Sequence, residues 1–301
     1  MISNSLERKI YKPSLLVSFL SIILLFSVYG YSSSISHNGF SYKIITSPIT
    51  GKKWLDRNLG ATAVCTKSPT DSSYTNANDY VTDQEDCFGD LYQWGRLTDG
   101  HEKVDYQDDS QNLETSFDPQ NTIVNGKALV TVGSESDKFI TGPYNSSDWT
   151  DKDDSGRIRT AQWSRNDGQS ICPYGFRVPR MWELTAETVA NSIQNTDVNG
   201  NGNIEVVDNN TAFLNFLKIP ATGYRDIMNG DLISSGEVAM LMINTYHSNH
   251  SVPYIYISDS SSSTSIYGHV LRGKTVRCIK STSKFKRIPR KPLDQRVYSN
   301  N

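Results

Sequence analysis

The strongest hydrophobic pattern in this chain is a predominantly apolar run of 15 residues, 15–29, near the N-terminus. Arg8, Lys9 and Lys12 precede it. A basic region followed by an apolar segment of this length is typical of a secretion signal. The run is short for a membrane-spanning helix, which needs about 20 apolar residues. We therefore predict export with cleavage after Gly30 and no membrane span thereafter; the alternative is an uncleaved anchor.

Downstream of this segment, apolar and polar residues vary over short stretches that predict short elements. Alternation and turn signals predict strands at residues 40–45, 52–58, 254–257 and 275–279. Spacing and helix-forming residues predict short helices at residues 90–96, 181–190 and 211–217. In the second helix, the inner face would consist of Met181, Trp182, Leu184 and Val189. The pattern is that of a loop-rich protein and not of a helical bundle.

Other regions lack long apolar periodicity. Residues 31–38 are predicted to form a flexible leader. Residues 98–157 are predicted to form a long polar loop region with a few short strands, such as 128–132. The segment after Lys280 has little to bury and is predicted to be disordered. We therefore divide the chain into a signal peptide (1–30), a leader and first strand (31–49), a domain (50–280) and a basic tail (281–301).

The formal net charge of −2 conceals an uneven distribution along the chain. Residues 31–280 carry 21 Lys and Arg against 30 Asp and Glu, whereas residues 281–301 carry 6 against 1. An acidic body argues against nucleic acid as a partner. It is compatible with solubility and with the binding of cations.

The four cysteines predict a disulfide framework, because an even number in an exported chain is typical of disulfide bonding. Four cysteines allow three pairings, of which the sequence favours Cys65–Cys87 as a local link and Cys172–Cys278 as a long one. Closing a loop of over 100 residues contributes about 4–5 kcal/mol in the chain-entropy model. The alternative is four free or metal-binding thiols, although no C-x-x-C spacing is present.

Five local patterns follow one another along the chain: GKKWLDRNLG (51–60), CFGDLYQWGR (87–96), CPYGFRVPRMWEL (172–184), LKIPATGYRDIMNGDL (217–232) and TVRCIK (275–280). In this order they resemble the Fibrobacter succinogenes major paralogous domain family of exported bacterial proteins. The resemblance covers about residues 50–280. Its most specific part is the Cys-Pro block and the Arg-Cys block with the Gly-Tyr-Arg block between them.

The resemblance implies an α+β, C-type-lectin-like fold with small twisted antiparallel sheets, two short helices and long loops. It implies that the two ends of the domain meet, and it supports pairing Cys172 with Cys278. The chain departs from the family at residues 238–244, VAMLMIN, where relatives carry a Trp-Ser-Ser stretch in a core strand. Any function that rests on that Trp is not implied here. The family has no well-defined activity, so fold and export are implied more firmly than function.

Residues 197–208, DVNGNGNIEVVD, have the spacing of a calcium-binding loop. Such loops place oxygen ligands at positions 1, 3, 5, 7, 9 and 12, with Gly at position 6 for the sharp turn. Gly202 occupies position 6, and the ligands would be Asp197, Asn199, Asn201, Asn203, Glu205 and Asp208. The loop also resembles those of dockerin modules. We predict Ca²⁺ at extracellular affinity; the alternative is a polar turn between two helices.

A weaker second loop begins at residue 151. Asp151, Asp153 and Ser155 occupy positions 1, 3 and 5, but position 12 is Gln162, which has no carboxylate. Neighbouring arginines oppose a cation. A solvated acidic turn is therefore the favoured interpretation of this segment.

The five tryptophans could stack on sugars. Trp54, Trp94 and Trp182 lie inside the family-like blocks, where a core position is the favoured interpretation. Trp149 and Trp163 lie in the loop-rich middle of the chain and are the better candidates for ligand binding.

The sequence contains no G-x-S-x-G, P-loop, H-E-x-x-H or Rossmann motif, whereas a carboxylate pair for glycoside hydrolysis depends on the fold and is left open. The favoured hypothesis is a non-enzymatic, exported binding module whose ligand is an extracellular glycan or protein. One alternative is an enzyme of the formylglycine-generating oxidase type, which resembles the family in fold and requires free thiols. The other is a purely structural protein of the cell envelope.

Overall fold

The computed structural model describes residues 33–107, 113–114, 123–124, 127–128, 137–143, 148–150, 153–188, 206–248 and 250–282. The predicted signal peptide, nearly all of the basic tail and most of the predicted calcium loop lie outside these ranges.

A five-stranded antiparallel sheet joins the beginning and the end of the described chain. Its strands, in the order β1-β2-β3-β14-β8, are β1 (Ser34–His37), β2 (Phe40–Thr46), β3 (Lys53–Leu55), β14 (Ile279–Lys280) and β8 (Phe176–Arg177). The turn between β1 and β2 is Asn38-Gly39, and both residues have positive φ values, as a tight hairpin turn requires. Ile279 of β14 pairs with Trp54 on one side and Arg177 on the other.

A second antiparallel sheet contains the longest strand among the described residues, Ser262–His269. It consists of β11 (Ala239–Met242), β12 (Ser251–Ile257) and β13 (Ser262–His269), in that order. A register irregularity between Tyr254 and Tyr256 interrupts the pairing of β12 with β13. The core strand that the resemblance implied at residues 238–244 therefore corresponds to β11, which is buried throughout.

The remaining elements are short. The helices are α1 (Ala77–Gln84), α2 (Arg157–Trp163), α3 (Met181–Thr188) and α4 (Asn209–Leu214), and a 3₁₀ turn covers Glu85–Cys87. The paired short strands are β4 (Leu113–Glu114) with β7 (Phe139–Ile140), β5 (Ile123–Val124) with β6 (Lys127–Ala128), and β9 (Tyr224–Arg225) with β10 (Leu232–Ile233). The protein is thus α+β with mostly antiparallel sheets, as predicted.

The five-stranded sheet separates two hydrophobic clusters, because successive side chains of a strand point to opposite faces. Leu55 and Cys278 belong to one cluster, whereas their neighbours Trp54 and Ile279 belong to the other. The second cluster also contains Leu184 of α3 and apolar residues of β11 and β12. Both faces of this sheet are therefore buried at its centre.

Both predicted disulfides are present, and together they use all four cysteines. Cys65 and Cys87 have Cα atoms 5.0 Å apart and enclose a short loop. Cys172 and Cys278 have Cα atoms 5.9 Å apart and are separated by 106 residues in the sequence. Cys278 directly precedes β14, so this bond holds the last strand of the five-stranded sheet.

The predicted helix at residues 90–96 is wrong. The backbone N–H of Tyr92 donates to the carbonyl of Lys274, and that of Trp94 donates to the carbonyl of Val270. The side chains of residues 91–94 are all buried, so this segment crosses the interior and has no solvent-facing side. Because the segment is buried on all sides, the spacing of its apolar residues does not indicate a helix.

The predicted flexible leader at residues 31–38 is also wrong where the structure describes it. Ser34–His37 form β1, which pairs with β2 along its whole length. The sheet therefore begins at Ser34, upstream of the first predicted strand at residues 40–45. Within the described part of the chain, no helix combines the length and apolar character needed to cross a membrane.

We predict that replacing both Cys172 and Cys278 with Ser lowers the free energy of unfolding by about 2–5 kcal/mol, because the unfolded chain gains loop entropy. Urea denaturation without reductant measures this change. Replacing Cys65 and Cys87 with Ser is the matched control, and its shorter loop should cost about 1–1.5 kcal/mol less in the chain-entropy model. A smaller loss for the long loop than for the short one would contradict the prediction.

Candidate functional site

Three polar depressions lie on the surface beside the loop that the Cys65–Cys87 disulfide closes. Within this loop, Asn76 begins α1, because its side-chain oxygen accepts from the backbone N–H groups of Asn78 and Asp79. The 3₁₀ turn then returns the chain to Cys87. The disulfide and the helix cap together fix the shape of the loop, which we call the Cys65–Cys87 loop.

The depressions adjoin one another because they share lining residues. The first has a volume of about 420 Å³ and lies between α1 and residues 232–237. The second has a volume of about 310 Å³ and shares Tyr106 with the first. The third has a volume of about 340 Å³ and shares Ala77 and Glu237 with the first. We call these three neighbouring depressions together the α1 groove.

The α1 groove is acidic. No Lys or Arg lines any of its three depressions. The second depression, which we call the Asp90 cleft, has four carboxylates in its lining: Glu85, Asp86, Asp90 and Asp105. Such a surface offers many acceptors for hydrogen bonds and attracts positive charge.

Asp90 is the most buried of these acids, with 7% of its surface exposed. Its carboxylate packs directly on Gly60, where a Cβ atom would collide with it, and the φ of +83° at that position also favours glycine. Burial raises the pKa of Asp90 to about 6, and the ammonium of Lys103, whose Nζ lies 2.8 Å from Asp90 Oδ2, partly offsets the increase. Asp90 therefore titrates close to neutral pH.

The charged turn at residues 99–103 lies beside Asp90. His101 is fully buried; its Nε2 accepts from the backbone N–H of Gln93 at 3.0 Å, so the proton of the neutral ring is on Nδ1, which donates to Asp99. Burial, reinforced by the charge of Arg96, lowers the pKa of His101. The ring is therefore neutral at pH 7 and positions the turn.

Asp99, His101 and Glu102 could in principle hold a metal ion, since their ligand atoms lie within 4.8 Å of one another. Both ring nitrogens of His101 are already hydrogen-bonded, and Asp99 also pairs with Arg96 at 2.9 Å. A metal would have to displace these contacts. The cluster is better explained as a buried hydrogen-bonding network than as a metal centre.

The predicted calcium loop lies mostly outside the described residues: Asp197, Asn199, Asn201, Asn203 and Glu205 are all outside. The last predicted ligand, Asp208, is described and begins α4. Its Oδ1 accepts from the backbone N–H of Thr211, and the Thr211 hydroxyl oxygen accepts from the backbone N–H of Asp208, which together form a capping box.

The weaker second loop is described only in part, because Asp151 lies outside the described residues. Asp153 is buried, and its carboxylate accepts from the backbone N–H groups of Ile158 and Arg159 and pairs with the Arg159 guanidinium at 3.1 Å. Ser155 is exposed. Asp153 thus accepts two backbone N–H groups of the first turn of α2 and neutralises a buried arginine.

Trp149 and Trp163, predicted as ligand-binding candidates, are fully buried. Their indole N–H groups donate to the backbone carbonyls of Trp94 and Arg96. In this position neither ring presents a face to a ligand. Trp182, predicted in the core, is instead 58% exposed, because its position on α3 points away from the buried Leu184.

Comparison with protein-family models, with curated proteins and with solved structures finds no match to this chain.

The residues of the Asp90 cleft were not singled out from the sequence, which placed Asp90 only at the start of a predicted helix. One signal was present: Asp99, His101, Glu102 and Lys103 place four titratable side chains within five residues. Their proximity to Asp90 and Gly60 is a tertiary property that spacing along the chain does not reveal.

We predict that Asp90 makes the protein less stable as pH rises from about 4 to about 6. Below this window the carboxyl is protonated in both the folded and the unfolded state, and above it the folded state contains a buried charge. Relative to Asp90→Asn, the natural protein should lose about 1–3 kcal/mol across the window. Urea denaturation of both proteins between pH 4 and 7.5 measures the difference.

Asp71→Asn is the matched control. Hydrogen bonds from Ser73 lower the pKa of Asp71, so its contribution is lost as pH falls, which is the opposite direction. A difference between the natural protein and Asp90→Asn that did not change with pH would contradict a raised pKa at Asp90.

Proposed function

We propose that this chain is an exported, non-enzymatic binding module that uses the α1 groove to bind a polar ligand, a glycan or a protein. The observation that carries the proposal is the groove itself: three adjoining polar depressions with no Lys or Arg in their linings. Loops fixed by a rigid framework are where such proteins place their contacts. The disulfides support export, because they persist in oxidising compartments.

We further propose that the frame is the C-type-lectin-like fold of the Fibrobacter succinogenes major paralogous domain family. The pairing of β14 with β3 supports this proposal, since the implied fold brings the two ends of the domain together. The Cys172–Cys278 bond supports it as well. The oxidase alternative receives no support from the cysteines, because all four are in disulfides and that chemistry needs free thiols.

A substitution that fills the groove tests the proposed function. Asn78 is exposed, is the second residue of α1 and lines the first depression. Glycan arrays and envelope-protein pull-downs with residues 31–301 should identify a ligand, and Asn78→Trp should weaken its binding at least tenfold by occupying the groove.

Asn210→Trp is the matched control, because Asn210 is the exposed second residue of α4 and lines none of the three depressions. It should leave binding unchanged. Equal loss in both variants, or no ligand in either assay, would contradict the groove as a binding surface and favour a structural envelope protein.

We also propose that residues 197–208 bind Ca²⁺. The spacing of oxygen-bearing side chains around Gly202 supports this proposal. The capping box of Asp208 matters for its test, because removing that side chain would destabilise α4 with or without calcium. Asp197 is therefore the better position to change.

We predict that millimolar Ca²⁺ raises the thermal unfolding midpoint, because an ion that binds only the folded state stabilises it by mass action. Asp197→Ala should abolish most of this rise, and Asp151→Ala should retain it. Calorimetry with Ca²⁺ and with Mg²⁺ measures the effect. An unchanged midpoint in the natural protein would exclude a calcium site at this loop.

A further inference from the structure

The Asp90 cleft already contacts a primary ammonium group. Lys103 Nζ lies 2.8 Å from Asp90 Oδ2 and 3.8 Å from Glu102 Oε1, so the same ammonium lies between two carboxylates. The Lys103 side chain is 55% exposed, whereas those of Asp90 and Glu102 are 11% and 0% exposed. An exposed, flexible side chain therefore covers two buried acids.

Glu102 is only half satisfied by hydrogen bonds. Its Oε2 accepts from the backbone N–H groups of Asp99 and Gly100. Its Oε1 is buried and has no hydrogen-bond donor among the described residues. A buried carboxylate oxygen without a donor is costly, and a cation placed above it would recover that cost. Lys103 approaches Oε1, but at 3.8 Å it makes no hydrogen bond.

Resting on the proposed binding function, we propose that the Asp90 cleft binds a primary ammonium group of a ligand, which displaces Lys103 from Asp90 and Glu102. The group would come from a polyamine or from a lysine side chain of a basic peptide. Lys103 acts as an internal competitor that lowers the affinity for such a ligand.

The arrangement of the acids favours an extended cationic ligand over a single hard metal ion. Calcium requires six to eight oxygen ligands converging at 2.3–2.6 Å. No three of the described acids lining the cleft bring oxygen atoms within 4.8 Å of one another. A cleft of about 310 Å³ has room for an alkyl ammonium chain, and Val104 and Tyr106 provide apolar surface for its methylene groups.

Isothermal titration of the full chain with spermidine and with a hexalysine peptide tests this proposal, with NaCl and CaCl₂ at matched ionic strength as reference titrations. We expect saturable binding of at least one amine. Asp90→Asn should weaken it at least tenfold, and Lys103→Met should strengthen it severalfold by removing the competitor. Binding should also decline below about pH 6, as Asp90 becomes protonated.

Lys67→Met is the matched control, because Lys67 is a similarly exposed lysine whose partner at 3.1 Å, Asp83, does not line the cleft. It should leave the affinity for the amines unchanged. If only spermidine binds, the cleft is a polyamine site, and if only hexalysine binds, it is a peptide site. Either outcome supports the proposal.

The proposal is overturned if neither amine binds, if Asp90→Asn binds as well as the natural protein, or if Ca²⁺ displaces the amine at equal concentration. If the ammonium site is disproved, the proposed groove function still stands when Asn78→Trp weakens binding of the ligand found in the array. The two failures are therefore distinguishable.

Discussion

The fold depends on the insertion of its last strand into the middle of its first sheet. β14 lies between β3 and β8, so one segment from the end of the described chain completes the pairing of two others. Such non-local closure has a high entropic cost, which the Cys172–Cys278 bond reduces by constraining the unfolded chain. Ile279 of this strand is buried in one hydrophobic cluster and Cys278 in the other, so the strand also joins the two cores.

A loop-rich chain buries backbone carbonyls that are not paired within a sheet or helix and still need hydrogen-bond donors. In this protein, buried arginine side chains supply some of these donors. Arg277 is fully buried and donates to the carbonyls of Leu55 and Leu217, and Arg225 donates to that of Gly230. Burial lowers the pKa of Arg277 to about 9 and that of Arg225 to about 10, which leaves both charged at neutral pH. Arg277 thereby links Leu55 in β3 to Leu217, two residues that no strand pairing joins.

The sequence predicted those features that depend on local pattern and failed where long-range contacts decide. Alternation located β2 and β12, and both disulfides followed from the number and spacing of the cysteines. The helix predicted at residues 90–96 is wrong because the segment is buried on every side. The positions of its apolar residues therefore do not mark one face of a helix. Asp90 became a candidate site residue only through tertiary contacts with Gly60 and Lys103, which are 30 and 13 positions away in the sequence. The α1 groove likewise depends on the packing of residues 232–237 against α1.

The two disulfides stabilise separate parts of the protein. The Cys172–Cys278 bond holds β14 in the five-stranded sheet. The Cys65–Cys87 bond closes a loop that supplies lining residues to all three depressions of the groove. Because this loop has its own crosslink and its own helix cap at Asn76, its exposed residues do not determine the pairing of the sheets. Substitutions among them can change the charge and shape of the groove at little cost to the core. The five-stranded sheet, which non-local contacts stabilise, and the proposed binding surface, which local contacts stabilise, can therefore vary independently.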